Sequence, residues 1–158
     1  MTPKSKNRPP RRFLFPGSFN PFTKGHYDIA KRALALCDQL IIGVGVNIDK
    51  EQSSETKERV TAIHAIFATE PRVLVAEYSG LTAQLARELG ISAIVRGVRD
   101  CADFEKERNL ADANRELFGI ETILLPSQPR LSWLSSSAVR ELDRFGYDTS
   151  NLLPKSEL

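Results

Sequence analysis

Histidine, cysteine, methionine and tryptophan are all scarce in this chain: its 158 residues hold two histidines, two cysteines, one methionine and one tryptophan. Cys37 and Cys101 stand far apart and form no CxxC pattern, so they read as reduced thiols and not as a disulfide framework or a zinc site. With only His26 and His64 available, a histidine-rich metal centre is excluded. No apolar run approaches the ~18 residues that span a bilayer, and the first dozen residues lack the apolar block of a secretory signal. The expectation is a soluble, cytoplasmic protein with no membrane partner.

The composition that is present, 41% hydrophobic and 27% charged, suits one globular domain, which at this size buries roughly 70% of its unfolded surface. The formal net charge of +2 is unevenly placed. Residues 1–12, MTPKSKNRPPRR, carry Lys4, Lys6, Arg8, Arg11 and Arg12 without an acid, which leaves the remaining residues mildly acidic. Three prolines break any amphipathic targeting helix there. Residues 1–12 therefore read as a solvated, disordered arm with no assigned function and no nucleic-acid partner, and residues 13–158 as the folded domain.

From Arg12 onward short apolar runs alternate with helical patterns. RRFLF reads as a strand, and HYDIAKRALALC sets Ile29, Ala30, Ala33, Leu34 and Cys37 on one helical face. QLIIGVGV is a β-branched run of the kind found in a strand buried on both sides. Then follow helix TKERVTAIHAIFA, strand RVLVAEY, helix LTAQLARELG, strand SAIVRG, helix ADFEKERNLADANRELFG, strand ETILLP and helix SSAVRELDRFG. The last three of these helices stop at Gly90, Gly119 and Gly146. His64, inside TAIHAIF, is a helix residue. Five strands, each followed by a helix, predict an α/β protein with a doubly wound, five-stranded parallel sheet. Ligands in such sheets gather beyond the carboxyl ends of the strands.

The strand ends carry the chemistry. After the first comes PGSFNPFTKGH, where Gly17 permits close backbone approach, Ser18 offers a hydroxyl, Asn20-Pro21 favours a turn, and Gly25-His26 opens a helix whose amides attract anions. After the fourth, Arg96 and Arg99 leave a buried strand at the ligand edge, with the planar, permanently charged forks that suit phosphate. Ser135, Ser136 and Ser137 open the last helix, although one serine would suffice as its N-cap.

The string PGSFNPFTKGH resembles the signature of the nucleotidylyltransferase superfamily, a P-G-(T/S)-F-(D/N)-P turn followed by (T/H)-x-G-H. Thr23 at the first position of the tetrapeptide is similar to the phosphopantetheine adenylyltransferase family, whereas mononucleotide adenylyltransferases and cytidylyltransferases more often carry histidine there. IVRGVRDCADFEKE resembles that family's R-G-(L/V/I)-R-x-x-x-D-F-E-x-E, with Lys106 in place of a common tyrosine. LSSSAVR resembles I-S-S-(S/T)-x-(V/I)-R, with Leu134 in place of the isoleucine. Thr56 to Val60 resemble the family's T-x-E-R-V helix start, where a structural role is read for Arg59.

The resemblance implies a Rossmann-like, single-domain nucleotidylyltransferase fold and transfer of the adenylyl group of ATP to 4′-phosphopantetheine. Dephospho-coenzyme A and pyrophosphate would form by direct in-line attack, with no covalent intermediate. It further implies that Ser18, His26, Lys50 and Arg96 hold attacker and α-phosphate in line. Ser18, Phe19, His26, Gly97, Arg99, Glu107 and Ser135 to Ser137 would bind ATP, with Arg99 and the serines on the departing pyrophosphate. Ser18, Lys50, Leu81, Thr82 and Arg96 would bind the acceptor. His26 is expected to donate a hydrogen bond to the α-phosphate, since a phosphate dianion needs no general base. Mg²⁺ is expected with ATP and no side chain is assigned as a metal ligand; a homohexamer and feedback binding of coenzyme A follow from the resemblance alone. The competing expectations are a nicotinamide mononucleotide adenylyltransferase and a non-catalytic nucleotide-binding module.

Overall fold

The computed structural model describes residues 8–46 and 53–157. Its elements are β1 (Arg12–Gly17), α1 (Lys24–Leu34), β2 (Gln39–Gly45), α2 (Ser53–Ile66), β3 (Val73–Tyr78), α3 (Thr82–Glu88), β4 (Ala93–Val98), α4 (Cys101–Phe118), β5 (Glu121–Pro126) and α5 (Ser136–Arg144), with 3-10 turns at Pro129–Leu131 and Ser150–Leu152. The five strands form one parallel sheet in the order β3-β2-β1-β4-β5, as the alternation predicts.

Side-chain alternation along the central strands divides the core in two. Phe13 and Phe15 of β1, with Leu40, Ile42 and Val44 of β2, pack against Ile29, Ala33 and Leu34 of α1 and Ile63 and Ile66 of α2. Leu14, Ile41 and Ile94 point to the other face and meet Ala83, Ala86, Ile91 and Ile120. Burial on both faces explains the unbroken apolar run in β2. Leu14, Leu40 and Ile42 are fully buried, each stabilising by about 1.5–3 kcal/mol. The outer strands differ: β3 and β5 expose much of their length, and Leu74 is 45% exposed, because each lies at an edge. Gly119, the αL C-cap of α4 at φ 67°, is the kind of helix stop that the sequence predicts, and Gly90 and Gly146 also have positive φ.

One feature of the sheet creates the site. β1 pairs with β2 along its whole length, from Arg12 opposite Gln39 to Gly17 opposite Val44. Its pairing with β4 comprises only Phe13 opposite Ala93 and Leu14 opposite Ile94. The chain runs outward from β1 in opposite directions on its two sides, so β1 and β4 flank the topological switch point, and beyond Leu14 they part to open a crevice at their carboxyl ends.

Candidate active site

A cleft of about 280 Å³ occupies that crevice. It is walled by the end of β1 and the turn after it (Pro16, Gly17, Ser18, Phe19), the start of α1 (Thr23, Gly25, His26), the end of β4 (Arg96, Gly97, Arg99), α4 (Asp103, Lys106, Glu107) and the start of α5 (Ser135, Ser136).

Local sequence explains how the turn is held. A Cβ on Gly17 would lie 2.8 Å from the Phe19 ring, so only glycine admits the ring here. Phe19 has φ 49°, in the left-handed region, and its ring is buried edge-to-face between Phe15 and Phe22 and against the His26 ring, at centroid distances of 5.1–5.2 Å. Thr23, fully buried, is the N-cap of α1. Its hydroxyl accepts from the His26 amide at 3.4 Å, while its own amide donates to His26 Nδ1 at 2.9 Å. This is a capping box with histidine in the place that glutamate or glutamine usually takes.

The reciprocal cap fixes the chemistry of His26. With Nδ1 accepting a backbone N–H, the neutral ring carries its proton on Nε2. Burial, followed by the positive charges of Arg96 and Arg99, lowers the His26 pKa from 6.5 to about 4, so at pH 7 the ring is a neutral hydrogen-bond donor.

Arg96 is held on both edges. Its Nε and one terminal nitrogen donate to the two carboxylate oxygens of Glu107 at 2.8 and 2.9 Å, and the other terminal nitrogen donates to the Pro16 carbonyl at 2.8 Å. Burial disfavours the cation, but the Glu107 bonds and charge outweigh it and raise the pKa. Three of five N–H donors are thus committed, leaving one on each terminal nitrogen. Arg99 is anchored by Asp103, whose carboxylate accepts from the Arg99 amide at 3.2 Å and from Nε at 3.3 Å. Asp100 caps α4 by accepting from the Asp103 amide at 2.8 Å.

The three serines differ. Ser135 is the N-cap of α5 and accepts from the Ala138 amide at 3.0 Å. Ser136 donates its hydroxyl to the Pro21 carbonyl at 2.8 Å, tying α5 to the turn. Ser137 is exposed, accepts from Arg140 at 3.2 Å and lies outside the cleft wall.

Of the residues expected from sequence, Ser18, Phe19, His26, Arg96, Gly97, Arg99, Glu107, Ser135 and Ser136 share this cleft. Leu81, 63% exposed, and Thr82, bonded to the Tyr78 hydroxyl at 2.7 Å, lie at the start of α3 outside its wall. Lys50 lies outside the described residues. Sequence reasoning missed Asp103 as the anchor of Arg99, Thr23 as the cap that sets the His26 tautomer, and the reach of Arg59, which donates to the Ser18 carbonyl. Only Thr23 had a local signal, the Thr-x-x-acceptor spacing of a capping box. Arg59 also bonds within its own helix, to Thr56 Oγ1 at 3.0 Å, as its structural reading anticipates.

The cytidylyltransferase-like family model matches residues 14–142. The chain is 50% identical over 142 residues to phosphopantetheine adenylyltransferase of Porphyromonas gingivalis, covering 90% of this chain and 93% of that protein. It is 49% identical over 145 residues to the protein of the same name from Phocaeicola vulgatus, covering 92% and 96%. The chain belongs to the phosphopantetheine adenylyltransferase family. Among solved structures it is similar to a bifunctional NMN adenylyltransferase/ADP ribose pyrophosphatase of Francisella tularensis, with TM-score 0.64 and 16% identity over 93% of this chain and 45% of that one. That likeness establishes the Rossmann-like nucleotidylyltransferase fold alone. The turn after β1 and the Arg-Gly-Val-Arg end of β4 line two sides of the crevice between β1 and β4.

Proposed function

We propose that this protein transfers the adenylyl group of ATP to 4′-phosphopantetheine, giving dephospho-coenzyme A and pyrophosphate. The family supports the substrates, and the observation that carries the chemistry is the neutral, Nε2-protonated His26 in one cleft with the anchored guanidinium groups of Arg96 and Arg99. A phosphate oxygen of the acceptor attacks the α-phosphorus of ATP, the bond to the β-phosphate oxygen breaks, and pyrophosphate leaves. No proton has to be removed from a phosphate dianion, so His26 acts as a donor to the α-phosphate. Arg96 takes the acceptor phosphate through its uncommitted N–H groups, and Ser18, Phe19 and Gly97 line the α-phosphate. Arg99 and the start of α5, through Ser135, Ser136 and Ser137, take the β- and γ-phosphates, where a helix N-terminus favours negative charge. Lys50 bridges the acceptor and α-phosphates. Leu81 and Thr82 contact the pantetheine arm. Glu107 serves the site by orienting Arg96, in addition to its expected place near the nucleoside.

Among the described residues no group of three or more histidine, cysteine, aspartate or glutamate side chains is placed to hold a metal ion. The two acids of the cleft, Asp103 and Glu107, are both engaged by arginines. A Mg²⁺ carried on the phosphates of ATP as part of the substrate would offset the charge that builds on pyrophosphate. We further propose a homohexamer that binds coenzyme A as a feedback ligand and works in the cytoplasm. No helix among the described residues is long and apolar enough to cross a membrane.

The decisive experiment measures pyrophosphate release from MgATP with 4′-phosphopantetheine, with nicotinamide mononucleotide and with no acceptor, identifying the product by mass. Release with phosphopantetheine alone, yielding dephospho-coenzyme A, is expected. Release with the mononucleotide overturns the substrate, and ATP binding without release overturns the reaction.

A further inference from the structure

Arg59 stands on α2, a helix whose Ile63 and Ile66 share a buried cluster with Phe19 and Phe22 of the turn after β1, and no step of the proposed chemistry uses it. Its Nη1 nevertheless donates to the Ser18 carbonyl, while Nη2 and Nε hold Thr56 Oγ1 and the Glu55 carbonyl at 3.0 and 3.4 Å. Arg140 of α5 donates to the Asn20 carbonyl. Between these two clamped carbonyls lies Phe19 at φ 49°, a conformation that a residue with a Cβ keeps only when its surroundings hold it. The Ser18–Phe19 peptide is trans and planar, so its N–H points opposite to the carbonyl that Arg59 grips. Ser18 and Phe19 both line the cleft and Arg59 does not. The Phe19 amide donates to no described group, which leaves it directed away from α2 and available to an anion.

We propose that Arg59 is a positioning residue for adenylyl transfer: by fixing the Ser18 carbonyl it turns the Phe19 N–H toward the phosphate that reacts. The inference rests on the proposed reaction. A lysine at this position keeps one charged donor for the Ser18 carbonyl but loses the fork that braces it on Thr56 and Glu55, and a glutamine is too short and uncharged to do either. Misplacing a donor by about 1 Å costs on the order of 100-fold in rate.

The test compares native protein with Arg59→Lys and Arg59→Gln, using steady-state pyrophosphate release and the ¹H–¹⁵N signal of Phe19 in protein labelled with ¹⁵N-phenylalanine, with and without MgATP. For Arg59→Gln kcat falls roughly 10- to 100-fold, while KM for ATP moves much less. Its Phe19 amide signal is displaced in the free protein and loses its native response to MgATP; Arg59→Lys falls between the two. Should Arg59→Gln fail to fold, Arg59→Lys alone is required to show both the lowered kcat and the displaced signal. A kcat within twofold of native, or a lowered kcat with a native Phe19 signal and response, overturns the inference. Native protein that releases no pyrophosphate overturns the adenylyl-transfer reading instead, and a displaced Phe19 signal would then still report the coupling to Arg59.

Discussion

Arg96 donates to the carbonyl oxygen of Pro16 at 2.8 Å, beyond the point where the strands carrying them have stopped pairing. The last paired residues of β1 and β4 are Leu14 and Ile94; two positions further on, a guanidinium bridges the gap that the backbone ladder leaves. The switch point of the sheet therefore presents a fixed cation, and Glu107, reaching in from α4, holds its other edge. One ion pair at the strand ends ties β1, β4 and α4 together and aims two remaining N–H groups.

Glu107→Gln separates that tie from the charge it carries. Glu107 is 4% exposed, and a glutamine in its place can accept only one of the two Arg96 bonds while setting an amide donor against a guanidinium. Because Arg96 is itself 33% exposed, water relieves part of the loss. The expected cost is about 1–3 kcal/mol in urea unfolding, with a rise of roughly tenfold or more in KM for 4′-phosphopantetheine. If neither midpoint nor KM moves, Pro16 alone suffices to hold Arg96.

His26 sets a pH dependence of definite sign. Its folded pKa of about 4 lies below the ordinary 6.5, so between these values the unfolded chain binds the proton and the folded chain does not. The contribution of the neutral ring is complete above about pH 6.5 and is lost as pH falls toward 4, reaching at most about 3 kcal/mol. Urea unfolding at pH 7 and pH 4.5 is expected to show a larger drop for native protein than for His26→Asn. At pH 6 the ¹⁵N shifts of the ring should report a protonated Nε2 and a bare Nδ1; a charged imidazolium at that pH would sink both the tautomer and the donor role. His26→Ala should keep the fold and lose about 10²–10³ in kcat.

Much of this was legible in the chain, and the division is physical. Short apolar runs and helical spacing located the five strands and the five α-helices, and β5 was read at its observed limits, Glu121 to Pro126. That His26, Arg96, Arg99 and Ser135 would share one cleft was legible because they stand at strand and helix ends that the fold class turns toward one edge. Asp103 and Glu107 were legible only as matches to a motif. Their work as anchors depends on the phase of α4 against β4, which the sequence does not display. Arg59 meets Ser18 only because β2 and α2 fold back beside β1, so nothing within its own helix announces the contact.

Gly17→Ala tests how tightly the turn is packed. The new Cβ would sit 2.8 Å from two atoms of the Phe19 ring, and that ring is 3% exposed with Phe15, Phe22 and His26 around it. With no space to move into, either the ring or the end of β1 shifts, at an expected cost of about 1–3 kcal/mol and a loss of roughly tenfold or more in kcat. Phe19→Leu removes the colliding atoms, so the double variant should be less destabilised than the sum of the single changes. Strict additivity would mean that the alanine is accommodated elsewhere.

The serine cluster yields the sharpest contrast, because sequence treats its members alike and the structure does not. Ser135 caps α5 and Ser136 tethers that helix to Pro21, while Ser137 faces outward toward Arg140. The Ser136 and Ser137 amides, in the first turn, donate to no described group and are available to phosphate whatever their side chains. Ser135→Ala should therefore cost about 1 kcal/mol of stability and raise KM for ATP, since the helix start frays. Ser136→Ala leaves the Pro21 carbonyl without its hydroxyl partner and should lower kcat by letting the turn drift from α5. Ser137→Ala should leave stability, kcat and KM for ATP within about twofold of native, as surface changes without packed partners do. Should Ser137→Ala instead weaken ATP binding as much as Ser135→Ala does, the hydroxyl of Ser137 must turn inward to meet the nucleotide, and α5 binds phosphate through side chains more than through its amides.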